Sequence, residues 1–171
     1  MRALAVLAAL ALLAPGCGYR VAGKADLLPD SVRTIAVPAF ENVTTRHRLT
    51  QMMPAAVTRE FLSRTRYRVV GDPEEADATL QGTIRNYYSS PTIFDSATGR
   101  AAGIQVTVVL DMRLVEHGTS KVLYQSTGMS VQNRYEVSSD QAAYFDESDT
   151  ALARLSGDVA RTVVSAVLEN F

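Results

Sequence analysis

The sequence predicts an α/β (α+β) two-layer sandwich: a mixed, mostly antiparallel sheet of about four to five strands with two helices packed on one face. Three features carry that expectation. Ile104, Val106, Val108, Leu110, Met112 and Leu114 alternate with period two, the mark of a strand with one buried face. Two segments, Leu49 to Phe61 and Leu152 to Val167, instead repeat their apolar residues at helical spacing. The order of elements is strand, helix, short strand, three long strands, helix, and a chain of 171 residues suits one such domain, spanning 32–171.

Val32 to Phe40 is a short buried strand ended by Pro38, followed by a polar, turn-like stretch from Glu41 to Thr45. The first helix buries Leu49, Met52, Met53, Ala56, Val57 and Phe61, and its Pro54 fits best in the first turn, where a missing N–H costs little. Arg59, Arg64 and Arg66 crowd its C-terminal end and complement the helix dipole. Tyr67 to Val70 is a second short strand, closed by the turn Gly71-Asp72-Pro73. From Ala78 to Tyr88 the faces divide, with Leu80 and Ile84 on one and Gln81, Thr83 and Arg85 on the other. Ser89 to Gly103 holds Pro91, Gly99 and Gly103 and reads as a long hairpin loop suited to contacting a partner. Beyond the strand from Ile104 to Leu114, residues 117–120 turn the chain and Val122 to Val131 returns as its partner, the two forming the centre of the sheet. Leu152, Leu155, Val159, Val163, Ala166 and Val167 line the last helix, with Asp146, Glu147 and Asp149 at its start. Acidic residues there favour the dipole and call for no metal.

Composition excludes several classes. With 47% hydrophobic and 20% charged residues the chain is globular, and a net charge of −1 without a basic stripe offers no nucleic-acid surface. No G-x-S-x-G elbow, P-loop or dinucleotide-binding turn occurs, so the sequence points to a binding protein and not an enzyme. His47 and His117 fall in loops with no second histidine or cysteine nearby, and no cofactor is implied. Asp111 and Arg113 share a strand face and could pair there. Asn42-Val43-Thr44 spells a glycosylation sequon.

The N-terminus speaks of export. Met1-Arg2 carries one positive charge, and Ala3 to Ala14 is an unbroken apolar run of 12 residues. A membrane span needs about 20, whereas the apolar core of a signal peptide needs about 7–15. Pro15-Gly16 and then Cys17, the single cysteine, follow directly. A lone cysteine makes no internal disulfide. Leu12-Leu13-Ala14-Pro15-Gly16-Cys17 resembles the bacterial lipobox, which implies a signal peptide over 1–16, acylation of Cys17 (palmitate among the chains) and a short lipidated tether over 17–31. The plainer alternative is ordinary cleavage that leaves a spare thiol.

After Cys17 the chain reads Gly18-Tyr19-Arg20, then Ile35-Ala36-Val37-Pro38-Ala39-Phe40-Glu41-Asn42-Val43-Thr44, then Ala76-Asp77-Ala78-Thr79-Leu80-Gln81-Gly82, with Asp158-Val159-Ala160 in the final helix. In that order these segments resemble the LptE family of lipopolysaccharide-transport lipoproteins. The resemblance implies an outer-membrane lipoprotein on the periplasmic side, partnered with an LptD-type β-barrel that it plugs and helps to assemble. It also implies contact with lipopolysaccharide, for which Arg85, Arg100, Arg113, Lys121 and Arg134 are candidates, each equally readable as a solvated strand charge. Gly18 in place of an inner-membrane-retaining aspartate agrees with the outer membrane. The segment from Ile35 to Thr44 also resembles lipoproteins that activate peptidoglycan synthases and those related to CsgG, a second reading.

Overall fold

A computed structural model describes residues 28–96, 99–136 and 141–169, and side chains throughout these except 141–149. The expected signal peptide, Cys17 and all but the end of the tether lie outside the described residues. The chain forms β1 (Thr34–Ala36), β2 (Glu41–Asn42), α1 (Leu49–Arg64), β3 (Arg68–Val70), β4 (Ala78–Phe94), β5 (Ala101–Glu116), β6 (Val122–Glu136) and α2 (Gln141–Glu169). A single 3-10 turn, Pro73–Glu75, joins β3 to β4.

The two helices pack on a mixed open sheet ordered β3-β1-β4-β5-β6, with β2 beside β4. The α+β two-layer expectation holds, with six strands in place of four to five because Glu41–Asn42 resumes pairing with β4 beyond the break at Pro38. Strands β1, β2 and β3 run parallel to their neighbours, while β4, β5 and β6 are antiparallel. The sheet centre is β4–β5, not β5–β6: β6 lies at the edge.

Even positions of β4 and β5 face the helices. Leu80, Ile84, Val108, Leu110, Met112 and Leu114 are buried there, against Leu49, Met53, Val57 and Phe61 of α1 and Leu155, Val159, Val163 and Val167 of α2. Pro54 stands at the sixth position of α1, in its second turn and not its first. It therefore leaves one helical carbonyl without its usual donor. The helix start has no side-chain cap at Arg48; Asn42 braces the incoming chain instead, donating to the Arg46 carbonyl at 2.9 Å and to Thr50 Oγ1 at 3.3 Å. Its Oδ1 accepts from Thr44 N–H and Oγ1–H, so the sequon asparagine is engaged within the fold. At the other end Thr65 closes α1 with its N–H and Oγ1–H on the Phe61 carbonyl. Helix α2 begins at Gln141, which places Asp146, Glu147 and Asp149 beyond its first turn and removes the dipole argument for them.

The β5–β6 turn holds Gly118 at φ 79° and Ser120 at φ 55°. The left-handed region is costly for a residue with a Cβ. Because Ser120 is exposed, Ser120→Gly is expected to raise Tm by about 2 °C, a gain of roughly 0.5 kcal/mol, measured by thermal denaturation.

Candidate functional site

The sheet face away from the helices carries uncharged polar side chains such as Gln81, Thr83, Gln105, Gln125, Ser130 and Gln132, together with the charged Arg85, Asp111, Arg113 and Arg134. It is a strand surface built from odd positions of β4 and β5, so its residues follow directly from the period-two pattern. Two irregularities meet on it. Pairing of β4 with β5 shifts between Ile84 and Asn86, freeing Arg85 from the register. Pairing of β5 with β6 shifts between Leu110 and Met112, opposite Gly128 at φ 70°. Both bulges converge on Asp111. Gly128 N–H donates to its Oδ1 at 2.9 Å, and Arg85 Nε donates to its Oδ2 at 2.6 Å. The Gly128 N–H first, and then Arg85, hold the Asp111 carboxyl below the usual carboxylate range. The partner of Asp111 is thus Arg85 and not Arg113. Around the pair lies a shallow open cleft of about 420 Å³, lined also by Arg113, Gln125 and Thr127.

The stretch expected as a loop is mostly strand. β4 runs on to Phe94 and β5 starts at Ala101, so only 95–100 connect them. The result is a two-stranded arm reaching past the core, with Ser89, Ser90 and Pro91 paired to Val106, Gln105 and Ile104. Residues 88–96 are all exposed. Among them are three large apolar side chains: Tyr88 at 50%, Ile93 at 47% and Phe94 at 61% exposure. Exposed aromatic and aliphatic groups gathered on one projection mark a contact surface. The sequence signal for it was Ile93-Phe94 within an otherwise polar stretch.

The five basic candidates do not form one site. All are exposed. Arg85 is committed to Asp111. Arg113 lies between Gln81 and Gln125, whereas Arg134 faces Gln105, eight positions away along β5 or about 27 Å. Arg100 sits at the arm's tip, where its carbonyl accepts from Asp95 N–H at 2.8 Å. Lys121 is at the opposite end of the sheet, beside Glu116. His47 and His117 occupy exposed turns.

The profile of the LptE family, lipopolysaccharide-assembly, matches residues 32–167. The chain belongs to the LptE family. Members are non-enzymatic assembly lipoproteins associated with the outer membrane, and membership gives this LptE-family chain a part in lipopolysaccharide assembly. No curated protein matches it in sequence. Solved structures share its fold. Uncharacterized lipoprotein B from Nitrosomonas europaea has a TM-score of 0.52 at 16% identity, covering 89% of this chain and 96% of that one. A protein of Xanthomonas campestris gives 0.52 at 15%, covering 81% and 85%. A hypothetical protein of Chlamydia trachomatis gives 0.54 at 11%, covering 80% and 96%. At these identities the likeness of this LptE-family chain to them is one of fold alone.

Proposed function

We propose that this chain is an outer-membrane lipoprotein, acylated on Cys17, that docks in an LptD-type β-barrel, helps it to assemble and aids delivery of lipopolysaccharide to the outer leaflet. The observation that carries the reading is the β4–β5 arm, whose Tyr88, Ile93 and Phe94 stand exposed outside the core and suit contact with a partner. The sheet face supports it, because most of its side chains are uncharged and polar and would hydrogen-bond the polar interior of an outer-membrane barrel, while its Arg85–Asp111 pair is already closed. Basic side chains spread along the sheet, from Lys121 at one end to Arg100 at the other, could meet lipid phosphates one at a time along a path.

The test is affinity purification of the lipidated protein from detergent-solubilised envelopes, with mass-spectrometric identification of what accompanies it. An LptD-type barrel in near-equal amount is expected, and Tyr88→Ser/Ile93→Ser/Phe94→Ser should recover it at least ten-fold less while melting like the wild type. Recovery of a peptidoglycan synthase, or of a CsgG-type secretion assembly, would instead favour the second reading. In detergent phase separation of the purified protein, Cys17→Ser should move it from the detergent phase to the aqueous phase, since several acyl chains at about 0.8 kcal/mol per buried CH₂ hold a protein stably in a lipid or detergent phase.

A further inference from the structure

At the end of the domain where the described chain begins, Leu28 N–H donates to Tyr67 Oη at 3.3 Å. A cleft of about 460 Å³ opens beside this contact, lined by Leu28, Pro29, Val32 and Tyr67 and flanked by Arg33 and Arg66. Arg68 adjoins them, because its N–H donates to the Arg33 carbonyl at 3.0 Å. All three arginines are exposed. Among the described residues none of their guanidinium groups closes an ion pair of 4 Å or less. Three acidic groups lie near, of which Glu116 accepts from Ser31 Oγ–H at 2.8 Å and is offset by Lys121. Asp30 lines the cleft, and Asp77 directs one oxygen to the Arg33 and Thr34 N–H groups, with the Arg33 charge adding a weaker attraction. The local balance is therefore positive.

We infer that this end of the domain is a docking face for the headgroups of anionic phospholipids, with Arg33, Arg66 and Arg68 taking their phosphates. The inference rests on Cys17 as the anchor. Eleven positions separate Cys17 from Leu28, at most about 40 Å of chain, so the cleft lies within that reach of the membrane surface. Guanidinium groups match phosphate oxygens in a two-pronged geometry that lysine lacks. The apolar floor beneath them suits the glycerol and first methylenes of the same lipid.

The experiment uses the chain from residue 17 onward with Cys17→Ser, which lacks the acyl chains but keeps the whole folded unit, since every core residue lies between Leu28 and Leu168. Its binding is measured by co-sedimentation with phosphatidylcholine vesicles, with and without phosphatidylglycerol. Binding should require phosphatidylglycerol and fall roughly 10- to 100-fold in Arg33→Gln/Arg66→Gln/Arg68→Gln, given what each cation contributes at an anionic surface. A control with Arg46→Gln/Arg48→Gln/Arg154→Gln removes equal charge elsewhere, at exposed positions outside the cleft and off the sheet, and should bind like the parent. Equal binding to both vesicle types, no loss in the first variant, or an equal loss in the control would each overturn the proposal. No barrel is present in this assay. Its failure is therefore separate from failure to capture the barrel, and detergent phase separation of full-length Cys17→Ser tests the anchor independently.

Discussion

Gly82→Val is expected to lower the free energy of unfolding by about 3 kcal/mol and Tm by about 10 °C. Gly82 is buried in β4, and the Phe40 ring lies flat on its bare backbone. A Cβ built there would stand 2.8, 2.8 and 2.9 Å from three atoms of that ring. Those contacts are well inside the 3.5–4.0 Å optimum for two carbons. Phe40 is 1% exposed and wedged where the chain breaks between β1 and β2, so the ring cannot swing out without opening the core. Valine's strand preference recovers a little of the cost but does not remove the overlap. Chemical denaturation of the single variants and the pair checks the account. Phe40→Ala alone should cost about 3–5 kcal/mol. Combined with Gly82→Val it should cost clearly less than the sum, because the new side chain fills the space the ring leaves. Strict additivity would mean that ring and glycine do not oppose each other.

Gly82 also illustrates how far the sequence could be read. A glycine inside a strand signals some close approach, but the identity of the approaching group depends on β2 lying parallel beside β4, a pairing 42 residues apart that no local pattern encodes. The strands with one buried face were legible: Val106 to Leu114 in β5 and Leu80 to Ile84 in β4 alternate because one side meets the helices. The arm was not, for the same reason. From Ser89 to Phe94 neither face is buried, so there is no alternation, and the extended conformation comes from pairing to β5 and not from propensity. Likewise, the order of the strands and the edge position of β6 are long-range facts. At the candidate site, the outward direction of Arg85 followed from period two. Its partnership with Asp111 did not, because two bulges set which side chains meet. Proximity in sequence suggested Arg113 instead.

Asp77→Ala is expected to cost about 2–3 kcal/mol, the value of hydrogen bonds made to a charged acceptor. One carboxylate oxygen of Asp77 accepts from Arg33 N–H, Thr34 N–H and Thr34 Oγ1–H, each at 2.8 Å. The backbone reciprocates: Asp77 N–H donates to Thr34 Oγ1 at 2.9 Å, and the Asp77 carbonyl accepts from His117 N–H at 2.7 Å. A single residue thus ties the start of β1 to the start of β4 and to the β5–β6 turn. Without its carboxylate the two N–H groups at the entrance to β1 lose their acceptor. Asp77→Asn keeps one acceptor oxygen without the charge and should lose about half as much. The Arg33 N–H first, then the Thr34 hydroxyl and N–H, hold the Asp77 carboxyl below its ordinary 3.8. A carboxyl whose folded pKa lies below its unfolded one stabilises the fold fully above the unfolded value. That contribution fades as pH falls from there through the folded pKa. The parent should therefore lose more stability than Asp77→Asn between pH 6 and pH 2, and urea midpoints of the two should converge at the acid end. Asp111 and Glu116, whose carboxyls are lowered in the same sense by Gly128 and Thr119, remain in both proteins, so the difference between the curves isolates Asp77. Parallel curves across that range would mean that the charge on Asp77 adds nothing to the brace, leaving its geometry alone to join the two strands.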